Sequence, residues 1–259
     1  MSKIIIIPDI HGRTFWKECV NQECDEIIFL GDYLDPYRYE GITIDDAISN
    51  FKEILDFKSK NIDKVTLLLG NHDIQYISKK FLSRSRYDYE HADEYRKLFI
   101  DNIKYFKVVT YRMINDCMVT FSHSCIGNQW KNEYVGEIKH KNIYDSITYL
   151  NELIQKHDNQ KLAKVFDYVG YARGGYSKYG SILWADECEL QYEDNKLDDI
   201  YYQIFGHTQQ QETPIFRETY ACLDCRAGFM IDEFGTIKNI TNNEKEFNIS
   251  YNIFSQDKV

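Results

Sequence analysis

Five short segments of this 259-residue chain contain side chains that can bind a metal ion. Carboxylate, imidazole and amide oxygen groups are suitable ligands for manganese, iron or zinc. An Asp carboxylate has two oxygens with several lone pairs, so it can bridge two ions that lie about 3.5–4 Å apart. The sequence therefore indicates a metal centre. The segments are Asp9-Ile10-His11, Gly31-Asp32-Tyr33-Leu34-Asp35, Gly70-Asn71-His72-Asp73, Ser122-His123-Ser124 and Gly206-His207-Thr208.

Each of these segments follows a predicted β-strand. The first three strands are apolar runs at Lys3–Ile7, Glu26–Leu30 and Val65–Leu69. In open α/β sheets, ligands bind outside the carboxyl ends of the strands. We therefore expect all five segments to meet at one place.

The first 70 residues alternate between strand and helix. Apolar residues recur at helical spacing between Thr43 and Lys58, and Thr43 with Asp46 resembles a capping box. Glycines beside the candidate ligands allow sharp turns and a close approach of the backbone to a ligand. This alternation predicts a largely parallel sheet with helices on its faces.

The middle and the C-terminal part predict a more mixed arrangement. Residues 74–106 are polar, aromatic and predicted to be helical, and a second helix is predicted over Asn142–His157. Val108–Ser122 predicts two strands that meet at a turn near Asn115 and Asp116. The tail after residue 241 is predicted to lie over the surface. Further strands are predicted at Ile182–Trp184, Ile200–Phe205, Tyr220–Asp224 and Phe229–Asp232.

Composition excludes several classes of protein. The net charge of −10 would repel duplex nucleic acid. The apolar run Ile4–Ile7 is too short for a signal peptide, and the chain has no run of about 18 apolar residues that would span a membrane. Seven cysteines, an odd number, favour reduced thiols and a cytoplasmic location. We interpret Cys222 and Cys225 as free thiols on a strand rather than as a zinc or redox site.

The five segments, in this order, resemble the D-x-H, G-D-x-x-D, G-N-H-D, H and G-H-T motifs of the calcineurin-like metallophosphoesterase family. The resemblance extends from residue 9 to about residue 228. It implies an α/β fold (an α+β sandwich) in which two packed mixed β-sheets and their flanking helices form four layers. We expect a single domain over residues 1–259, with a helical insertion at about 74–106 that could act as a lid.

The resemblance also implies roles for the candidate residues. Two divalent metal ions are expected, manganese first, with iron, zinc, magnesium or nickel as alternatives. A hydroxide between them would attack phosphorus in line, and His72 would protonate the leaving oxygen while Asp35 orients its ring. The implied ligands are Asp9 and His11 for the first ion, a bridging Asp32, and Asn71, His123 and His207 for the second ion.

One departure from the family pattern concerns the residue that binds phosphate. Many relatives have an Arg immediately after G-D-x-x-D, whereas this chain has Pro36. Arg38 and Arg173 are candidate substitutes, because the planar guanidinium fork matches phosphate oxygens. Arg173 with its two following glycines resembles an element of the serine/threonine phosphatase branch, in which the Arg comes later. Asp186 either orients an Arg or simply ends a strand.

A second departure from the family pattern indicates which branch of the family the chain resembles. Nuclease and cyclic-phosphodiesterase relatives commonly carry G-H-x-H, but here Gln209 replaces the second His. The segment is similar to that of serine/threonine protein phosphatases and diadenosine tetraphosphate hydrolases. We therefore expect a phosphate monoesterase acting on a phosphoprotein or small phosphoester, with a dinucleoside polyphosphate hydrolase as the alternative. A binding module that has lost its chemistry is less favoured, because every expected ligand is present, as are His72 and Asp35.

A basic run with neighbouring tyrosines follows the third segment. It is either one solvated helix face or a lid that grips a polyphosphate or a base. His91 is interpreted as a surface residue, with lining of the substrate cleft as the alternative. The run comprises Lys79, Lys80, Arg84 and Arg86, with Tyr87 and Tyr89.

Overall fold

Two mixed β-sheets face each other in the computed structural model, which describes residues 3–81, 86–139, 141–211, 213–241 and 250–255. The first sheet has seven strands and the second has five. In chain order the strands are β1 (Lys3–Ile7), β2 (Glu26–Phe29), β3 (Val65–Leu68), β4 (Phe106–Lys107), β5 (Val109–Ile114), β6 (Cys117–Ser122), β7 (Tyr202–Phe205), β8 (Ile215–Phe216), β9 (Tyr220–Cys222), β10 (Phe229–Asp232), β11 (Thr236–Asn239) and β12 (Ser250–Asn252).

Helices connect and cover these strands. In α2 the Thr43 hydroxyl accepts the Asp46 N–H at 3.1 Å and the Asp46 carboxylate accepts the Thr43 N–H at 3.3 Å, which is the predicted capping box. The α-helices are α1 (Trp16–Cys19), α2 (Ile44–Lys60), α3 (Asn71–Ile77), α4 (Ala92–Asp101), α5 (Ile143–Lys156) and α6 (Asn159–Phe166). Shorter helical turns lie at Arg38–Glu40, Ile103–Tyr105, Trp130–Tyr134, Tyr171–Arg173, Glu187–Gln191 and Glu193–Asn195.

The alternating faces of the strands build two large cores. Ile4 and Ile6 face the second sheet, where they join an apolar cluster with Phe121 and Ile204. The intervening side chains of β1 face the other way and pack with the helices. Both faces of β1 are therefore buried, which explains its continuous apolar run. The predicted two mixed sheets with helices on their outer faces are confirmed.

Strand direction brings the candidate ligands together. In the first sheet β1, β2, β3 and β4 are parallel neighbours, and in the second sheet β6, β7 and β9 are parallel neighbours. The carboxyl ends of parallel strands lie at the same edge of a sheet. The five candidate segments therefore lie at one edge of the sandwich, because they follow β1, β2, β3, β6 and β7.

One strand prediction is wrong, and the prediction for the C-terminal tail is incomplete. Ile182–Trp184 is not a strand but a buried turn, in which the Trp184 and Ala185 N–H groups both donate to the Ser181 carbonyl at 2.8 Å. A short apolar run is buried equally well by a strand or by an internal turn, so its pattern does not separate the two. The predicted surface tail also returns to the sheet, because β12 pairs with β11. Residues 242–249 lie outside the described residues.

The structure also bears on the cysteines, on membrane-spanning helices and on the predicted insertion. All seven cysteines are free, including the buried Cys222 and Cys225. None of the helices in the described ranges combines the length and the apolar content that crossing a bilayer requires. The predicted insertion at 74–106 contains most of α3 and all of α4, and its role as a lid stays a prediction.

The approach of β3 to β2 depends on a missing side chain at Gly70. A Cβ atom on Gly70 would lie 2.0 Å from Oδ1 of Asp32, a carboxylate that is itself buried. Gly70→Ala should therefore destabilise the fold by about 1–3 kcal/mol through overpacking, measured by urea unfolding. Gly136→Ala is the matched control, since a Cβ there meets nothing within 4 Å, and it should change stability by no more than about 0.5 kcal/mol. Equal stabilities of the two variants would contradict this reading.

Candidate metal centre and active site

Four of the five predicted segments line one cavity, and His123 of the remaining segment is buried beside it against Asn71 and His207. The two sheets meet there, because the His207 N–H donates to Oδ1 of Asp9 at 3.0 Å. Asp9 follows β1 in the first sheet and His207 follows β7 in the second. The cavity has a volume of about 630 Å³, and its lining includes Asp9, His11, Asp32, Asn71, His72 and His207.

His123 shows that the site suits a cation. Its Nδ1 lies 2.9 Å from the Leu30 carbonyl, which can only accept, so Nδ1 carries the proton. In the neutral ring Nε2 then presents a lone pair, and it faces Asn71 Oδ1 at 2.8 Å and His207 Nδ1 at 3.1 Å. Two electron-rich atoms, this Nε2 and the Asn71 oxygen, are thus close together in a buried site, and a positive ion bound to both would stabilise them.

His11 repeats this arrangement at the other side of Asp32. Its Nδ1 donates to the Leu34 carbonyl at 2.9 Å, and its Nε2 lies 3.4 Å from Asp32 Oδ2. The same oxygen lies 3.6 Å from Nε2 of His123. Asp32 therefore stands between the two imidazoles, where a bridging ligand would have to be.

Two groups of donor atoms fit a pair of metal ions. One group is His11, Asp32 and His72, and the other is Asp9, Asp32 and His123, with the donor atoms of each group within 4.8 Å of one another. They share Asp32, as a two-metal site with a bridging carboxylate requires. The grouping places Asp9 with His123 rather than with His11, and it includes His72, so the division of ligands between the ions stays a prediction.

Burial and charge set the protonation of this cluster. Burial lowers the pKa of His11 and of His207 well below the ordinary value, which favours the neutral rings that bind metals. Burial by itself would raise the pKa of Asp32, but the surrounding imidazole rings and the hydrogen bond from the His72 N–H at 2.9 Å bring it to about 2. Asp32 is therefore an anion across the physiological range.

Asp73 fixes the backbone on which these ligands stand. Its Oδ2 accepts the N–H groups of Asp32 at 2.8 Å and Gly70 at 2.7 Å, and its Oδ1 accepts that of Tyr33 at 3.0 Å. One buried carboxylate thereby joins the end of β2 to the end of β3. The sequence analysis gave Asp73 no role, although it belongs to the third segment.

His72 is held by a buried acid. Its Nδ1 lies 2.8 Å from Asp35 Oδ2, and Tyr76 donates its hydroxyl to the other oxygen of Asp35 at 2.6 Å. Gln75 adds a third hydrogen bond to Asp35 at 3.1 Å. Burial raises the pKa of Asp35, while the hydrogen bond from His72 opposes that rise. The remaining nitrogen of His72, Nε2, is left for the cavity.

The backbone of the site is strained. A positive φ is uncommon outside glycine and concentrates at functional sites, where the surrounding structure maintains it. Within the described ranges, positive φ angles occur at His11 (45°), Asp32 (53°), Asp35 (56°) and His207 (64°). Four of the predicted site residues thus adopt the left-handed conformation.

Arg173 lines the same cavity near His207. One of its terminal nitrogens donates to the His207 carbonyl at 3.1 Å and to the Thr208 hydroxyl at 2.8 Å. Its Nε lies 2.9 Å from Asp186 Oδ2, so the structure pairs the two residues that the sequence analysis linked. This carboxylate holds the guanidinium at the mouth of the metal-site cavity.

Arg38 is placed differently. It is exposed on the turn after Pro36 and lines an adjoining groove of about 980 Å³ instead of the metal-site cavity. His91 lines the same groove and is paired with Asp88 at 2.8 Å. Of the predicted basic run, Arg84 lies outside the described residues.

Two buried residues beside Asp9 were missed. Arg13 forms two hydrogen bonds to Glu40, at 2.8 and 2.9 Å, and donates to the Asp9 carbonyl at 3.3 Å. Asp224 is buried, and its Oδ1 has no hydrogen-bond partner in the described part of the chain. Burial, reinforced by the charge of Asp9, raises the pKa of Asp224. Neither residue belongs to a recognisable spacing, so only the folded arrangement reveals them.

Similar known proteins indicate the family of this chain. A family model described as calcineurin-like phosphoesterase matches residues 2–211. The serine/threonine-protein phosphatase 4 catalytic subunits of Eremothecium gossypii and Saccharomyces cerevisiae are each 29% identical to the chain over 85 residues, which is 31% of this chain and 25% of theirs. The chain thus aligns with about a quarter of the length of these curated relatives.

One solved structure is similar to this chain over most of its length. It is a protein serine/threonine phosphatase from Saccharomyces cerevisiae with similarity to human phosphatase PP5, and it matches at 13% identity with a TM-score of 0.48. That match covers 96% of this chain and 79% of the other. The family match supports a hydrolase of phosphoric esters. Because it extends over residues 2–211, well over half of the sequence, the chain belongs to the calcineurin-like phosphoesterase family, as its five segments predict.

Proposed function

We propose that this protein is a metal-dependent phosphoesterase that hydrolyses phosphate monoesters of a phosphoprotein or a small molecule. The observation that carries the proposal is the cluster of lone pairs around Asp32, where His123 Nε2 faces Asn71 Oδ1 at 2.8 Å. Divalent ions bound there would stabilise charge on a phosphoryl group and lower the pKa of a bound water. The phosphoesterase family match supports this assignment.

Three side chains would donate a proton, orient the proton donor and bind phosphate. His72 Nε2 would donate a proton to the leaving oxygen, since its Nδ1 is already engaged by Asp35 at 2.8 Å. Asp35 is itself fixed by Tyr76, so the ring keeps one orientation. Arg173 would bind phosphate oxygens at the His207 side of the cavity.

The substrate class rests on two different observations. The similarity to protein phosphatase 4 catalytic subunits favours a phosphoprotein. The alternative, a dinucleoside polyphosphate, is favoured by the adjoining groove, whose lining includes Tyr37, Tyr39, Tyr87 and Tyr89. Tyrosine rings are stacking surfaces for bases. Comparing kcat/KM for a phosphopeptide and for a dinucleoside tetraphosphate would separate the two.

The role of Asp32 provides the first test of this function. The wild-type protein should hydrolyse p-nitrophenyl phosphate with added manganese, and a chelator should abolish the reaction. Asp32→Asn should abolish activity and weaken the binding of both ions, because a neutral amide bridges two cations poorly. Asn tolerates the left-handed backbone at this position. Metal content is measured by elemental analysis.

Asp116→Asn is the matched control for this substitution. Asp116 is an exposed turn residue that also has a positive φ, of 60°. This variant should retain activity and both ions. Full two-ion occupancy in Asp32→Asn would count against the bridging role, and a wild-type protein inert toward every phosphoester tested would reject the function.

Removal of the Arg173 guanidinium should lower kcat/KM. Arg173→Ala should lower kcat/KM by about 10²-fold, equivalent to about 3 kcal/mol of transition-state binding. Arg173→Lys should restore little, because Lys lacks the planar fork. Arg217→Ala is the control, since Arg217 is exposed and lines neither cavity. An unchanged rate in Arg173→Ala would remove Arg173 from phosphate binding.

Loss of His72 should depend on the leaving group. His72→Ala should reduce kcat by about 10²–10⁴-fold on an alkyl phosphate, whose alkoxide leaves poorly without a proton. An aryl phosphate with an acidic phenol should lose less. Metal titration of the same variant checks the other reading, in which His72 is a ligand with His11 and Asp32. Equal losses on both substrates, accompanied by loss of an ion, would establish His72 as a ligand.

A further inference from the structure

Arg86 enters the metal-site cavity from outside the five predicted segments. It lies between α3 and α4, and one of its terminal nitrogens is 3.3 Å from Nε2 of His11 and 3.3 Å from Nε2 of His72. The same nitrogen is 3.4 Å from Nδ1 of His11, nearly equidistant from both nitrogens of that ring, so the guanidinium lies over the His11 ring. Arg86 therefore lies over the His11 side of the site, while Arg173 lies at the His207 side.

An aromatic ring holds Arg86 there. Its guanidinium carbon is 3.6 Å from the centroid of the Tyr37 ring, a close cation–π contact. Tyr37 immediately follows Pro36, the position at which many family members carry their Arg. The backbone of Arg86 is also left-handed, with a φ of 45°, like that of the neighbouring site residues. A guanidinium from a different part of the chain thus comes to rest beside position 36.

The guanidinium of Arg86 is not committed to an acid. Within the described ranges Arg86 forms no ion pair, and its polar contacts are with imidazole nitrogens. Other arginines are ion-paired to carboxylates there, namely Arg13, Arg112, Arg173 and Arg226. An arginine that lines this cavity without a carboxylate partner can donate to an anionic ligand without first breaking an ion pair.

We propose that Arg86, supported by Tyr37, is the phosphate-binding residue that replaces the Arg missing at position 36. The inference rests on the proposed phosphoesterase function and identifies a specificity residue within it. Two guanidiniums at opposite sides of one cavity suit a tetrahedral phosphate dianion with several free oxygens. Such an anion is the terminal phosphate of a monoester, so the pair favours monoesters over diesters.

The position of Arg86 predicts that one substitution will affect metal binding and phosphate binding in opposite ways. The guanidinium lies against the rings of His11 and His72, and it would repel a metal ion bound there because both are cations. Removing Arg86 should therefore leave metal binding equal or tighter. The same change removes a charge-assisted donor to phosphate, so phosphate binding should weaken. A residue that only maintains the fold would weaken both.

Calorimetric titration can measure both effects on the full-length protein. Manganese is titrated first, and inorganic phosphate is then titrated into the manganese-loaded protein. Arg86→Ala should raise the Kd for phosphate by about 10- to 100-fold and should not raise the Kd for manganese. Arg86→Lys should recover only part of the phosphate affinity. Arg217→Ala, which removes the same charge at an exposed position that lines neither cavity, should match the wild type.

Tyr37 variants test the support on which Arg86 rests. Tyr37→Phe keeps the ring and should lose less phosphate affinity than Tyr37→Leu, which removes it. A phosphate Kd for Arg86→Ala equal to that of the wild type would overturn the proposal, and so would parallel loss of manganese and phosphate binding. A wild-type protein that binds neither ligand would instead reject the proposed function itself, which distinguishes the two failures.

Discussion

The carboxylate of Asp73 accepts three backbone N–H groups, and the geometry of the site depends on these bonds. They hold the turn after β2 against the turn after β3, so that Asp32 and Asn71 lie next to each other. Each of these bonds satisfies a backbone N–H group that would otherwise be buried without a partner. Asp73 is not among the predicted metal ligands, yet it fixes the placement of two residues that are.

Much of the arrangement was accessible from sequence because strand ends are well marked. Apolar runs that stop at Gly or Pro next to Asp or Asn predicted β1, β2 and β3 to within one residue, and their parallel order predicted convergence. The run at Ile182–Trp184 failed because hydrophobicity reports burial and does not report backbone conformation. Arg86 was recognised only as part of a basic run, since its approach to His11 depends on how the segment after α3 returns to the cavity.

Charge in the site is arranged by depth. Asp9, Asp32 and Asp224 are each no more than 2% exposed, whereas the side chain of Arg173 is 26% exposed at the mouth. The interior attracts cations and the rim attracts anions, although the whole chain carries a net charge of −10. Such an order suits a protein that binds metal ions first and a phosphate afterwards, because the bound ions convert a repulsive interior into an attractive one.

The donor atoms come from both sheets, since Asp9 and Asp32 follow strands of the first and His123 and His207 follow strands of the second. A cation that binds across that boundary is also a cross-link in the sandwich. Its full set of predicted ligands would exist only after the two sheets have docked, so binding of the ion would follow completion of the fold. Separation of the sheets would then have to break metal–ligand bonds, and the lifetime of the folded protein would be coupled to the availability of metal.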